Sequence, residues 1–230
     1  MPDIGQLFPN YVQVKQRIPN WFWHALRVIS TLGTIALCVI LIIKPTLGLL
    51  IFWGMFIPCL PLVFFIAPGI WRNLCPLASM NQIPREMGWT KALSIPDNFR
   101  DYVILIGVAL AIAIITARKY FFGTNGTAVA VLIIACLILA FIGGVLFKGK
   151  SGWCQSICPL LPFQRIYGQT PLIKVRNYHC RPCVGCTTNC YDFNPQVAYI
   201  ADLNSENNYR SNYFKIFAAL LPGLVYGFFN

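Results

Sequence analysis

The sequence predicts an all-α integral membrane protein of about five transmembrane helices, and three observations carry that prediction. Of the 230 residues, 57% are hydrophobic and only 11% charged, whereas a soluble domain of this size is about a quarter charged. The mean hydropathy of +0.62 points the same way. Five apolar runs approach the length of about 20 residues that crosses a hydrocarbon core of about 30 Å. Finally, five spans would put 15 of the 18 Lys and Arg residues on one side of the membrane.

Residues 1–20 are polar, with Pro2, Pro9, Lys15, Arg17 and Pro19. They lack the signal-peptide order of a charged start, an apolar core and a small-residue cleavage site. Trp21, Phe22 and Trp23 read as an interfacial aromatic belt. The first span covers about 24–43 and ends at Lys44-Pro45. Arg27, near its start, is expected to snorkel to the interface. The second span, about 46–67, contains Pro58 and Pro61 and is followed by Pro68, so it should kink or end early. A polar loop follows over about 69–101. The third span is about 102–117, the turn 118–126 holds Gly123, Asn125 and Gly126, and the fourth span is about 127–147. After a loop over 148–212, a short last span over about 213–229 carries Pro222 and Gly223.

This layout sets an expected orientation. The N-terminal segment and the loops 69–101 and 148–212 share one side, leaving only Lys44, Arg118 and Lys119 on the other. The positive-inside rule makes the basic side cytoplasmic, which predicts a multi-pass protein of the cytoplasmic (inner) membrane. The net charge of +11 is then a property of cytoplasmic loops. Nucleic acid is not expected as a partner, because no basic helix or aromatic-basic surface motif is present.

The ten cysteines fall into two groups. Cys38, Cys59 and Cys136 sit inside apolar runs, where a thiol behaves as a small buried hydrophobe. The other seven lie beside Pro and Gly in segments expected on the reducing side, where disulfides are rare. Two of these segments look alike. GIWRNLCPL at 69–77 and GWCQSICPL at 152–160 align on Cys75-Pro76-Leu77 and Cys158-Pro159-Leu160. Each follows a pair of spans, so the membrane part reads as two copies of one unit, two spans and a Cys-Pro loop. The second copy contains C-x3-C-P, Cys154 to Cys158, while Trp71 stands where the first copy would carry its cysteine.

The strongest motif is HCRPCVGCTTNC at 179–190, with cysteines at 180, 183, 186 and 190. C-x2-C-x2-C-x3-C is the bacterial ferredoxin spacing for a [4Fe–4S] cluster, whose fourth cysteine ligates a different cluster. A short looping backbone with a thiol every third residue can reach three corners of a cubane. Zinc is the main metal alternative, but structural zinc usually takes two separated C-x2-C pairs. Around the run, Gly185 permits close backbone approach, Thr187, Thr188 and Asn189 can donate hydrogen bonds, and Arg181 adds positive charge. With few residues to bury, the segment is expected to fold around its metal.

These motifs together resemble the membrane polyferredoxin family of the NapH and NosR type, over about 46–191. The resemblance implies respiratory electron transfer, or in a related branch oxidase maturation. The chain departs from the family pattern at Trp71, at Tyr191 where a Pro often follows the fourth cysteine, and in lacking a second full ferredoxin run. A ferredoxin-like pairing would give Cys180, Cys183 and Cys186 the thiol of Cys158 as fourth ligand. Cys190 and Cys154 would start a second cluster, with Cys75 joining them. That makes one [4Fe–4S] cluster or two, with seven thiols for eight positions. His179, Asp192, a partner residue or nothing would fill the eighth.

The expected organisation is therefore 1–147, four transmembrane helices with the Cys75 loop; 148–212, a small cytoplasmic ferredoxin-like iron–sulfur segment; and 213–230, the C-terminal transmembrane helix. The acidic residues are scattered and no nucleophile–base pair or phosphate loop appears. The expected function is a redox subunit rather than a stand-alone catalyst. It would pass single electrons between a cytoplasmic-side donor or acceptor and a membrane redox partner or quinone. The alternatives are a structural or assembly subunit of a larger membrane redox complex and a metal-reducing oxidase maturation factor. His24 and His179 are the only histidines, so a bis-histidine haem within the chain is not expected.

Overall fold

Helix dominates the computed structural model, which describes residues 18–93, 95, 97–147, 152–154, 156–173 and 208–229. Among the described residues there is no strand, only the isolated bridge between Leu93 and Phe147. Five stretches are long and apolar enough to cross a membrane. They are α1 (Asn20–Ile43), α2 (Pro45–Ile66), the Tyr102–Phe122 part of α5 (Asp97–Phe122), α6 (Gly126–Leu146), and the Asn212–Phe229 part of α8 (Asn208–Phe229). All five expected spans are present. Each leaves most of its length unburied by the protein, and the uncovered residues on α1, such as Val28, Ile29, Leu32, Ile35 and Val39, are apolar. That is the surface a hydrocarbon solvent requires.

The span ends follow from local chemistry. α1 stops at Lys44, whose φ of −130° and ψ of 73° leave the helical region ahead of Pro45 at the first position of α2. α2 neither breaks nor ends early at its prolines. Instead its Leu50–Phe56 stretch widens into π-helical turns before Pro58 and Pro61, an adjustment that absorbs missing N–H groups inside a membrane helix. α5 ends the same way, in π-helical turns over Arg118–Phe122. Asn125 then caps α6 by accepting the Ala128 N–H at 3.0 Å.

These two π-helical segments meet. Trp53 donates its indole N–H to the Phe122 carbonyl at 3.0 Å. The Arg118 guanidinium lies 3.8 Å from the centre of the Phe228 ring and 5.7 Å from that of Trp53. This cation–π contact ties α2, α5 and α8 together at the end of the bundle away from the Cys-Pro segments.

The stretch expected as a polar loop is different in structure. It forms two helices, α3 (Pro68–Leu74) and α4 (Pro76–Glu86), joined at Cys75. Both start with a proline, which suits the first helical turn. α4 packs along α6 and also touches α1. Its polar residues Ser79, Asn81 and Gln82 are buried, because the protein supplies partners. The Asn81 amide donates to the Ala140 carbonyl at 3.0 Å, and the Gln82 amide donates to Asn81 Oδ1 at 3.0 Å. Non-helical or polar backbone at membrane depth is tolerated only under such cover.

Arg27 also departs from expectation. It does not snorkel outward; it is buried, donating from Nε to Ser79 Oγ at 3.2 Å and pairing with Glu86 at 3.1 Å. Of the aromatic belt, Trp21 and Phe22 are exposed while Trp23 turns into the protein.

After the second Cys-Pro segment comes a short helix, α7 (Leu161–Tyr167), packed on α2 and α5. Two short non-helical pieces close the open ends of spans. The Lys91 and Leu93 N–H groups reach the carbonyls of Val145 and Leu146 at 2.7 and 2.9 Å. Those of Leu172 and Ile173 reach Phe65 and Ile66 at 3.5 and 2.8 Å.

Candidate metal centre

Cys75 is set by the junction of α3 and α4. It occupies the N-cap position of α4, with φ −56° and ψ 121°. Its carbonyl accepts the Ser79 N–H at 3.0 Å and the Ser79 hydroxyl at 3.2 Å. Since Arg27 holds that same hydroxyl, α1 fixes the turn that presents the thiol.

Cys154 and Cys158 stand on a tight turn. The Trp153 carbonyl accepts the N–H groups of Ser156 and Cys158, each at 3.1 Å, and the Ser156 hydroxyl at 3.3 Å. The Cys158 carbonyl accepts the Leu161 N–H at 3.0 Å, starting α7. The turn sits directly against two spans, and glycine makes this possible. A β-carbon on Gly143 would lie 2.5 Å from the Gly152 carbonyl oxygen, and one on Gly107 would lie 2.6 Å from that of Ser156. Gly144 gives the same clearance to the Asn81 carbonyl.

The two Cys-Pro segments converge. Cys75 belongs to a buried cluster with Leu60, Phe64, Trp71 and Ala78, and Cys154 packs against it. Cys158 belongs to a second cluster with Ala140, Trp153 and Leu161, and Cys154 packs against that one too. Cys136, from the middle of α6, packs on the second cluster. Ala140 lies six residues inside the end of α6, about 9 Å along the axis. The thiols are therefore inside the bundle rather than on a cytoplasmic loop. Burial, then the neighbouring Cys154 and Cys75 thiols and more weakly Cys136, push the Cys158 thiol well above its ordinary range, against a lowering contribution from the Leu160 N–H. A metal entering here would have to displace protons.

Two buried indoles frame the site. Trp71 and Trp153 are members of the same two clusters, and the Nε1–H of each has no hydrogen-bond partner among the described residues. Such a donor is costly to leave unmade, so each suits an acceptor such as sulfide or thiolate sulfur. Buried guanidinium groups also stand on the elements that carry the thiols. Arg72 of α3 donates to Gln164 of α7 at 3.4 Å, and Arg165 of α7 lies 4.3 Å from the centre of the Phe214 ring.

Beside the thiols is an apolar cavity of about 630 Å³, with Cys75, Pro76, Cys136 and Pro159 on its wall and Trp53 and Phe228 among its other lining residues. Among the described residues, no three His, Cys, Asp or Glu side chains stand close enough to hold a single metal ion. The fit to an iron–sulfur cluster is thus one of donor chemistry: buried and half-buried thiols, orphaned N–H donors and buried cations on the adjoining helices. A cubane offers a separate iron to each thiolate, so its ligands stand further apart than those of one ion. Cys180, Cys183, Cys186 and Cys190, with His179 and Asp192, lie outside the described residues.

Of the three cysteines read as apolar filler, Cys38 is buried in a cluster with Leu41 and Trp53, and Cys59 is exposed on α2. Only Cys136 joins the thiols. Its signal was present in the sequence, since Cys136, Ala140, Gly143 and Gly144 recur at helical spacing on one face. Comparison with protein-family models, with curated proteins and with solved structures returns no match.

Proposed function

We propose that this chain is a membrane-bound iron–sulfur electron-transfer subunit of a larger redox complex, working between a cytoplasmic donor or acceptor and a membrane redox partner or quinone. The observation that carries the reading is the convergence of Cys75, Cys154 and Cys158 on one buried spot beside an apolar cavity. One [4Fe–4S] cluster, or two, drawing four ligands each from these thiols and from Cys180, Cys183, Cys186 and Cys190, would supply one-electron transfer.

The chain's own residues have definite tasks in this reading. The Arg27–Ser79 contact holds the Cys75 turn, and the glycines of α5 and α6 let the Cys154–Cys158 turn approach. Trp71 and Trp153 exclude water and offer N–H donors. Arg72 and Arg165 are buried cations that favour an anionic centre and raise its potential. The cavity is apolar and opens beside two thiols, which suits a lipid-soluble electron carrier.

A repeat of two units, each two spans and a Cys-Pro segment, is part of the proposal. Its support is reciprocal packing. α4, after Cys75, lies on α6, while α7, after Cys158, lies on α2. Likewise the piece at 91–93 closes the end of α6, and that at 172–173 closes the end of α2. Each half thus completes the other.

The test is iron and acid-labile sulfide per chain on anaerobically purified protein, with electron paramagnetic resonance of the reduced sample. About four or about eight irons, with a reversibly reducible signal, is the expected result. Zinc in place of iron, or iron that cannot be reduced without unfolding, would leave a membrane scaffold and end the electron-transfer reading.

A further inference from the structure

We infer that Cys136, inside the fourth span, is the eighth ligand thiol and completes a four-thiol set with Cys75, Cys154 and Cys158, in place of the exchange that would give Cys158 to Cys180, Cys183 and Cys186. The inference rests on the iron–sulfur reading above and adds to it a ligand from the membrane helix itself. With Cys180, Cys183, Cys186 and Cys190 the chain then offers eight thiols, two full complements for cubane clusters. No histidine, carboxylate or partner residue is needed.

Three independent features single out Cys136. It packs on the cluster formed by Cys158, Trp153, Ala140 and Leu161, against which Cys154 also packs. It lines the same cavity as Cys75. The face of α6 that carries it is the face against which the Cys-Pro segments rest, since Ala140 is bonded by Asn81 and Gly143 abuts Gly152. A half-buried or buried thiol with no role would be as well served by alanine. Cys38 is such a case, enclosed by Leu41, Trp53, Val129 and Phe228 with no other cysteine in its cluster. The orphaned indole N–H groups of Trp71 and Trp153 are a second sign of an acceptor between the elements. Coordination would replace the Cys136 S–H bond by a sulfur–iron bond, the proton passing to water.

The test compares the full-length protein with Cys136→Ala and Cys38→Ala, all purified anaerobically in detergent. Alanine is small, apolar and favourable in a helix, so both variants should insert. Iron per chain in Cys136→Ala is expected to fall about twofold from wild type, with loss of one paramagnetic signal, while Cys38→Ala keeps the wild-type values. Wild-type iron and unchanged signals in Cys136→Ala would overturn the inference and leave the iron–sulfur reading standing. Absence of iron from the wild-type protein would remove both. If the variant aggregates, the wild-type protein decides. N-ethylmaleimide should spare Cys136 in the iron-loaded protein and modify it after chelation, with Cys38 unaffected by chelation. Equal modification of Cys136 before and after chelation would overturn the inference.

Discussion

Arg27 illustrates how a charge within a span becomes tolerable. Arg27 is 6% exposed and its guanidinium is shared between Ser79 and Glu86, and Glu86 lies near the surface. The ion pair itself should therefore matter little, and Glu86→Gln should cost less than about 1 kcal/mol. Arg27→Met removes the buried donor, frees the Ser79 hydroxyl and loosens the turn that presents Cys75. About 1–3 kcal/mol is expected, read as a lower thermal midpoint in detergent and a larger loss than for Glu86→Gln. Equal effects would mean that Ser79 is not the important partner. The glycines give a second contrast. Gly144→Ala drives a methyl group into the Asn81 carbonyl, whereas a β-carbon on Gly33 meets nothing within 4 Å. Overpacking of this kind costs about 1–3 kcal/mol, so Gly144→Ala should lower the thermal midpoint clearly and Gly33→Ala should not. At this scale the sequence was legible for composition but not for partners. Arg27 read as a snorkelling side chain because only the fold brings Ser79, 52 positions away, to its donor. Cys136 read as filler because its neighbours come from two other segments.

Among the elements, legibility followed the solvent. A hydrocarbon environment demands long apolar runs, so all five spans could be located from the chain alone, to within a few residues at most boundaries. α3 and α4 could not. Pro68, Pro76 and Pro84 with Asn73, Asn81 and Gln82 look like a loop, because polar residues advertise water until a protein partner replaces it. Here the partners are α6 and the helix's own neighbours; Pro68 and Pro76 open helices, and Pro84 is carried inside α4. Burial of α3 has a direct consequence for proteolysis. Arg72 is 8% exposed, whereas the side chain of Lys91 is exposed beyond the end of α4. Limited trypsin treatment of the detergent-solubilised protein should cut after Lys91 well before it cuts after Arg72, as followed by mass spectrometry. Early cleavage after Arg72 would return this segment to the polar loop that its composition suggests.

For the whole molecule, charge and thiols make one joint claim. The segments that gather Cys75, Cys154 and Cys158 lie at one end of the bundle, and among the described residues the Lys and Arg of that end outnumber those of the other, where Lys44, Arg118 and Lys119 fall. The positive-inside rule turns this bias into an orientation. Arg118 is in addition engaged with Phe228 and Trp53, so the sparse end is poorer still in freely solvated positive charge. A reporter active only in the periplasm, joined after Thr124 in the turn before α6, should be active, and the same reporter joined after Lys91 should be silent. The opposite pattern would invert the bundle. It would also put the thiol-bearing end in an oxidising compartment, where closely placed cysteines become disulfides. Orientation is thus the cheapest global check on the chemistry. The iron–sulfur reading needs reduced thiols, reduced thiols need the cytoplasmic side, and the distribution of Lys and Arg predicts that side without reference to a single cysteine.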